Sequence, residues 1–181
     1  MKPENNISSV LELNYPFPNL LVKTRYGNVH LKSLIGDKRT IVYTNPIDLI
    51  PRHEQEIEGF IQELAQLKKL NFSLFGFNKG TFQDHLKCLN WVNSYLGEEQ
   101  VFPVFYEPDQ VDQVDQLTIG SADLKETKLI NPVYFLDKDG FTKLVLNGIN
   151  PDNRKLGKIL EMASKMVLSE QRFNSPIPVR N

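Results

Sequence analysis

The sequence predicts an α/β domain, a mixed central sheet with helices packed on both faces. Three observations predict it. Short apolar runs rich in β-branched and aromatic residues alternate with stretches whose apolar residues recur every three or four positions. After a small opening hairpin come two strand–helix–strand units, an order that implies parallel strands joined through helices. A turn signal, Asp137-Lys138-Asp139-Gly140, then separates two apolar runs and adds an antiparallel hairpin ahead of a last helix.

Residues 1–15 are polar and mixed, and read as a frayed lead-in to a domain that spans 16–170. Leu20-Leu21-Val22 and Val29-His30-Leu31 flank Tyr26-Gly27-Asn28, a small hairpin whose Gly27 and Asn28 tolerate positive φ. Thr40 to Tyr43 is a β-branched and aromatic central strand. From Pro51 onward, Ile57, Phe60, Ile61, Leu64 and Leu67 form one helical stripe, with Lys68-Lys69 at its negative end. Phe72 to Phe77 is the next strand, and Phe82, His85, Leu86, Leu89 and Val92 mark a second helix ending near Gly97.

Val101 to Phe105 reads as an edge strand broken by Pro103. Val133 to Leu136 and Phe141 to Leu146 are the arms of the late hairpin. Asn150 caps and Pro151 starts a closing helix lined by Leu156, Ile159, Leu160, Ala163, Met166 and Val167. Residues 171–181 form a tail, which Pro176 and Pro178 hold extended. In this order the elements make a thioredoxin-like arrangement.

The bulk numbers exclude several classes. With 40% hydrophobic and 24% charged residues, the 181-residue chain has an ordinary globular composition and the length for one domain. Its net charge of −1, with both signs interspersed, offers no basic patch for nucleic acid or an anionic membrane. No run approaches the roughly 20 apolar residues of a spanning helix. The first residues carry an early acid and no apolar stretch, so no secretory signal is read there. A single cysteine, Cys88, rules out an internal disulfide and a cysteine-rich zinc site. A soluble cytoplasmic protein is expected.

Three segments resemble the alkyl hydroperoxide reductase and thiol-specific antioxidant branch of the peroxiredoxins over roughly residues 16–168. They are Phe17-Pro18-Asn19-Leu20 with Gly27, Val29-His30-Leu31 and Leu34-Ile35-Gly36; Thr44 through Glu56; and Val133 through Gly140. The middle segment resembles that family's active-site loop. Members carry a proline, a threonine or serine four residues on, the peroxidatic cysteine three further, and an arginine at the start of a late strand. A thiolate at a helix start has a lowered pKa and attacks the peroxide bond. The hydroxyl and the arginine fork orient the peroxide and stabilise the leaving oxygen.

At these positions the chain has Pro46, then Ile50, His53 and Asn131. An imidazole cannot become a sulfenic acid, so the resemblance implies a divergent member without the peroxidatic cysteine. His53 is the sharpest functional candidate, against the plain reading of a histidine in the first helical turn. Cys88 resembles the resolving-cysteine position of one subgroup but has nothing to resolve, and is expected as a packed small hydrophobe. His30, His53 and His85 lack metal-ligand spacing, and neither metal nor cofactor is expected. Asp109, Asp112 and Asp115 lie in an acid-rich loop without the glycine and glutamate of a calcium loop. Phe102, Phe105 and Tyr106 beside it read either as core or as a partner surface. Asn131–Pro132 stands where thioredoxin folds hold a cis-proline, and a cis bond is expected.

The expected function is a non-catalytic binding or interaction module, working as a homodimer or with another protein partner. The alternative is an antioxidant oxidoreductase acting through Cys88 or a bound cofactor.

Overall fold

The computed structural model describes residues 10–24, 26–78, 80–106 and 129–174. In chain order the strands are β1 (Val10–Pro16), β2 (Leu21–Thr24), β3 (Gly27–His30), β4 (Arg39–Thr44), β5 (Phe72–Asn78), β6 (Val104–Tyr106), β7 (Val133–Leu136) and β8 (Phe141–Leu146). The helices are α1 (Leu31–Ile35), α2 (Glu54–Lys69), α3 (Phe82–Tyr95) and α4 (Leu156–Asn174). Short 3₁₀ turns cover Pro46–Leu49 and Pro151–Arg154.

Six strands form one mixed sheet in the order β1-β8-β7-β4-β5-β6, and β2 and β3 make a separate hairpin. Strands β4, β5 and β6 run parallel, because α2 and α3 carry the chain back between them. Strands β7, β8 and β1 are antiparallel additions on the other side of β4.

The period of two sorts side chains between two cores. Ile41, Tyr43, Leu74, Val133, Phe135, Leu144 and Leu146 face a core filled by α2, α3 and α4. Val42, Phe75, Phe77, Tyr134, Leu136 and Val145 face the second core, closed by the β2–β3 hairpin, Phe17 and α1. Both faces are thus covered, and the strands between them read as continuous apolar runs for that reason. At the far end of the helical layer, the Arg39 guanidinium at the start of β4 pairs with Glu170 of α4. No helix of the described residues is long and apolar enough to cross a membrane.

Several boundaries differ from the sequence reading. Val10 to Tyr15, expected in the lead-in, belong to a sheet strand whose backbone pairs with β8. Leu31 leaves the hairpin and starts α1. Strand β6 begins only after Pro103, whose carbonyl accepts the Gly76 N–H at 2.9 Å; proline has no N–H to give the ladder. Asn150 caps the 3₁₀ turn through Asp152 N–H, and α4 itself begins at Leu156. The same helix runs on through Asn174, past the expected start of the tail. The acid-rich loop with Asp109, Asp112 and Asp115, and the two tail prolines, lie outside the described residues.

Candidate functional site

Strand β4 delivers the chain to the carboxyl end of the sheet, the side on which open α/β folds bind ligands. There Asn45 turns it with φ 50°, a left-handed conformation that asparagine tolerates better than most residues. Pro46 follows and lies flat on Gly76 of β5. A Cβ at Gly76 would stand 2.9 Å from Pro46 Cγ, so glycine is what lets the loop settle on the sheet.

Across β4, Asn131 makes a second left-handed turn at φ 42° just before β7. The two turns are joined. Asn45 Nδ2 donates to Asn131 Oδ1 at 2.7 Å, and Thr44 Oγ1 donates to the Pro132 carbonyl at 2.8 Å. The Asn131–Pro132 bond is trans, which corrects the expectation of a cis bond. The left-handed turn at Asn131, held by Asn45, reverses the chain without it.

A guanidinium occupies the junction. Arg154, from the 3₁₀ turn ahead of α4, donates through Nη1 to the Asn131 carbonyl at 2.8 Å. Its Nη2 reaches the Thr44 carbonyl at 2.8 Å, the Asn45 carbonyl at 3.2 Å and Asp48 Oδ2 at 3.0 Å. The Arg154 side chain is 10% exposed, and its Cζ stands 4.2 Å from the centre of the Tyr43 ring. Tyr43 in turn donates its hydroxyl to the Arg154 carbonyl at 2.8 Å. Burial pushes the Tyr43 phenol well above its usual range; Arg154 pulls against this and Asp48 adds to it.

Beyond the junction an open cleft of about 990 Å³ runs between the first turns of α2 and α4. Ile50, His53 and Asn131 line it. Ile50 is half-buried and packs on the helical core. His53 is exposed at the N-cap of α2, with extended backbone and no side-chain capping bond, one step before the helical turn expected for it. Pro46 lies beneath the loop and is buried.

The structure therefore brings Pro46, Ile50, His53 and Asn131 to one end of the sheet and leaves Cys88 apart. Cys88 sits on α3 inside the helical core at 0% exposure, and burial pushes its thiol up to about 12. That protonated, enclosed sulfur is a packing group. The three histidines stay separate, with His30 exposed on β3 and His85 stacked against Phe82 and Tyr106. Phe102 and Phe105 are buried, so both are core, while Tyr106 is half-buried in that ring cluster.

Sequence reasoning missed Tyr43, Asn45, Asp48 and Arg154. No local spacing reveals Arg154, because its partners lie 23 to 111 positions away. The only written signal is the Asn150-Pro151 start of its turn.

A six-stranded mixed sheet in this order, with a loop and a helix start at the carboxyl end of β4, defines a protein of the thioredoxin-like class. No protein-family model matches the chain. Among curated proteins, the peroxiredoxin of Treponema denticola is 27% identical over 156 residues, 86% of this chain and 73% of that protein. The peroxiredoxin of Methanocaldococcus jannaschii is 24% identical over 158 residues, 86% of this chain and 72% of that one. The solved structure of the yeast mitochondrial 1-Cys peroxiredoxin matches with a TM-score of 0.61 at 18% identity, over 94% of this chain and 83% of that one. The chain is a homologue of the peroxiredoxins.

Proposed function

We propose that this peroxiredoxin homologue works by binding, as a homodimer or with another protein, and does not reduce peroxides through a thiol. One observation carries the reading: the only thiol of the chain is fully enclosed and held protonated, away from the cleft at the carboxyl end of β4. Peroxide reduction by a cysteine needs an accessible thiolate whose sulfur accepts an oxygen and becomes a sulfenic acid. At the start of α2 the cleft presents His53, which has no oxidisable sulfur. Ile50 brings no hydroxyl, and the nearby guanidinium of Arg154 already serves carbonyls and Asp48.

The single cysteine, which forms no disulfide framework, supports a cytoplasmic place for this activity. The test is peroxide consumption with a thiol reductant, for the native chain and for Cys88→Ser. Equal background rates are expected. Native turnover that vanishes in Cys88→Ser would overturn the reading in favour of an oxidoreductase acting through Cys88.

A further inference from the structure

We propose that the cleft between α2 and α4 binds a primary amine or guanidinium on an apolar stem, with the Glu63 carboxylate as its counter-ion. The inference rests on the binding reading above and names the chemistry of the ligand.

The charges around the cleft point to it. Five acids line the walls: Asp48, Glu56, Glu63, Asp152 and Glu161. Three are engaged, Asp48 by Arg154 at 3.0 Å, Asp152 by Lys155 at 2.7 Å and Glu161 by Lys158 at 3.2 Å. The cations Arg154, Lys155 and Lys158 are thereby engaged as well, leaving Arg52 and His53 exposed at the start of α2. Glu56 is exposed. Glu63 is half-buried, and among the described residues it has neither a hydrogen bond nor an ion pair. A carboxylate taken partly out of water without a partner is unfavourable, and burial raises its pKa accordingly. A cation entering the cleft gives Glu63 both a donor and an opposite charge, whereas a neutral donor gives a hydrogen bond alone, which is worth roughly half as much.

The surroundings fit an apolar stem. Glu56, Gly59, Phe60 and Glu63 fall at steps of three and four, so one face of α2 turns to the cleft. Phe60 lies one turn before Glu63, with Ile50 and Leu156 also on the walls. A Cβ on Gly59 would point into open space, so the α2 backbone is bare there. On α4, a Cβ on Gly157 would stand 3.1 Å from Glu63 Oε1, and its absence lets the carboxylate lie against that helix. The cleft's volume is at the upper end of the range for small-molecule sites.

A free amine and a lysine or arginine side chain of a partner present the same group. Titration of the ¹⁵N-labelled full chain separates them, with butylamine, the blocked tripeptide Ala-Lys-Ala, and butanol as the uncharged control. Saturable shifts at the Gly59 and Gly157 amides are expected with an amine and not with butanol. Affinity is expected to fall about tenfold or more in Glu63→Gln, the usual worth of a charge-assisted hydrogen bond. Gly59→Leu, which adds a good helix former in open space, keeps the fold and is expected to block the stem. Binding of butylamine alone supports a small-molecule amine, and binding of the tripeptide a protein side chain. No saturable shift with either probe, or equal affinity in Glu63→Gln, overturns the proposal. Peroxide turnover is read independently, so a failed titration without turnover removes this site and leaves the binding reading in place.

Discussion

Tyr43 and Arg154 hold one another twice: the guanidinium lies 4.2 Å from the tyrosine ring centre, and the tyrosine hydroxyl donates to the arginine's own carbonyl at 2.8 Å. This reciprocal contact fastens the turn ahead of α4 to the central strand. The same guanidinium binds the carbonyls of Thr44, Asn45 and Asn131, so three loops at the carboxyl end of the sheet share one fastening.

Removing it is therefore expected to be costly. Arg154→Ala leaves several carbonyls and Asp48 without their donor and is expected to destabilise the chain by about 3 kcal/mol. Arg154→Lys recovers little of this, because an ammonium cannot reproduce the planar fork. Tyr43→Phe loses one hydrogen bond and is expected to cost about 1 kcal/mol. Urea denaturation of the three variants checks the order.

Gly76 is expected to tolerate no side chain. In Gly76→Ala the new Cβ meets Pro46 Cγ at 2.9 Å and Pro46 Cβ at 3.0 Å, and a ring on a fixed backbone cannot swing aside. A loss of about 1–3 kcal/mol is expected, with amide shifts concentrated at Asn45 to Ile50. Wild-type stability and unchanged loop shifts would show that the loop is not seated by this contact.

Cys88 makes stability depend on alkaline pH. Its thiol is raised from an ordinary value of 9.0 to about 12 by burial, so between these values the unfolded chain releases a proton that the folded chain keeps. Stability is then full below about pH 9 and falls as pH rises toward about 12. Cys88→Ala is expected to flatten that part of the pH profile. A thiol reagent is expected to label Cys88 slowly in the native chain and promptly in denaturant. Fast native labelling would contradict its burial.

His85 acts at the other end of the scale. Burial lowers its pKa below 6.5, so as pH falls the unfolded chain takes up a proton before the folded one does. The stability present above pH 6.5 is expected to be lost as pH falls from there through the lowered value. His85→Gln is expected to weaken this acid sensitivity, read as denaturation midpoints across pH 4–8. Identical slopes in both proteins would rule out His85 as their source.

Much of the architecture was legible in the order of residues. Apolar periods of two and of three to four, the Asp137–Gly140 turn and the single cysteine specified a mixed sheet, its helices and a packed thiol, because these are properties of short stretches and of composition. The alternation of Leu11, Leu13 and Tyr15 with Glu12 and Asn14 was also present, but a strand is recognised only when a partner takes its hydrogen bonds, and β8 lies some 130 positions on. At the site, the loop residues Pro46, Ile50 and His53 could be picked out from the chain. Tertiary structure alone decided that Arg154 fastens Asn45 to Asn131, that the Asn131–Pro132 bond is trans, and that Glu63 faces a cleft without a partner among the described residues. The physical reason is distance along the chain. Local spacing records which face a side chain leaves from, whereas hydrogen bonds and charge pairs between loops depend on where folding sets the far ends of the sheet.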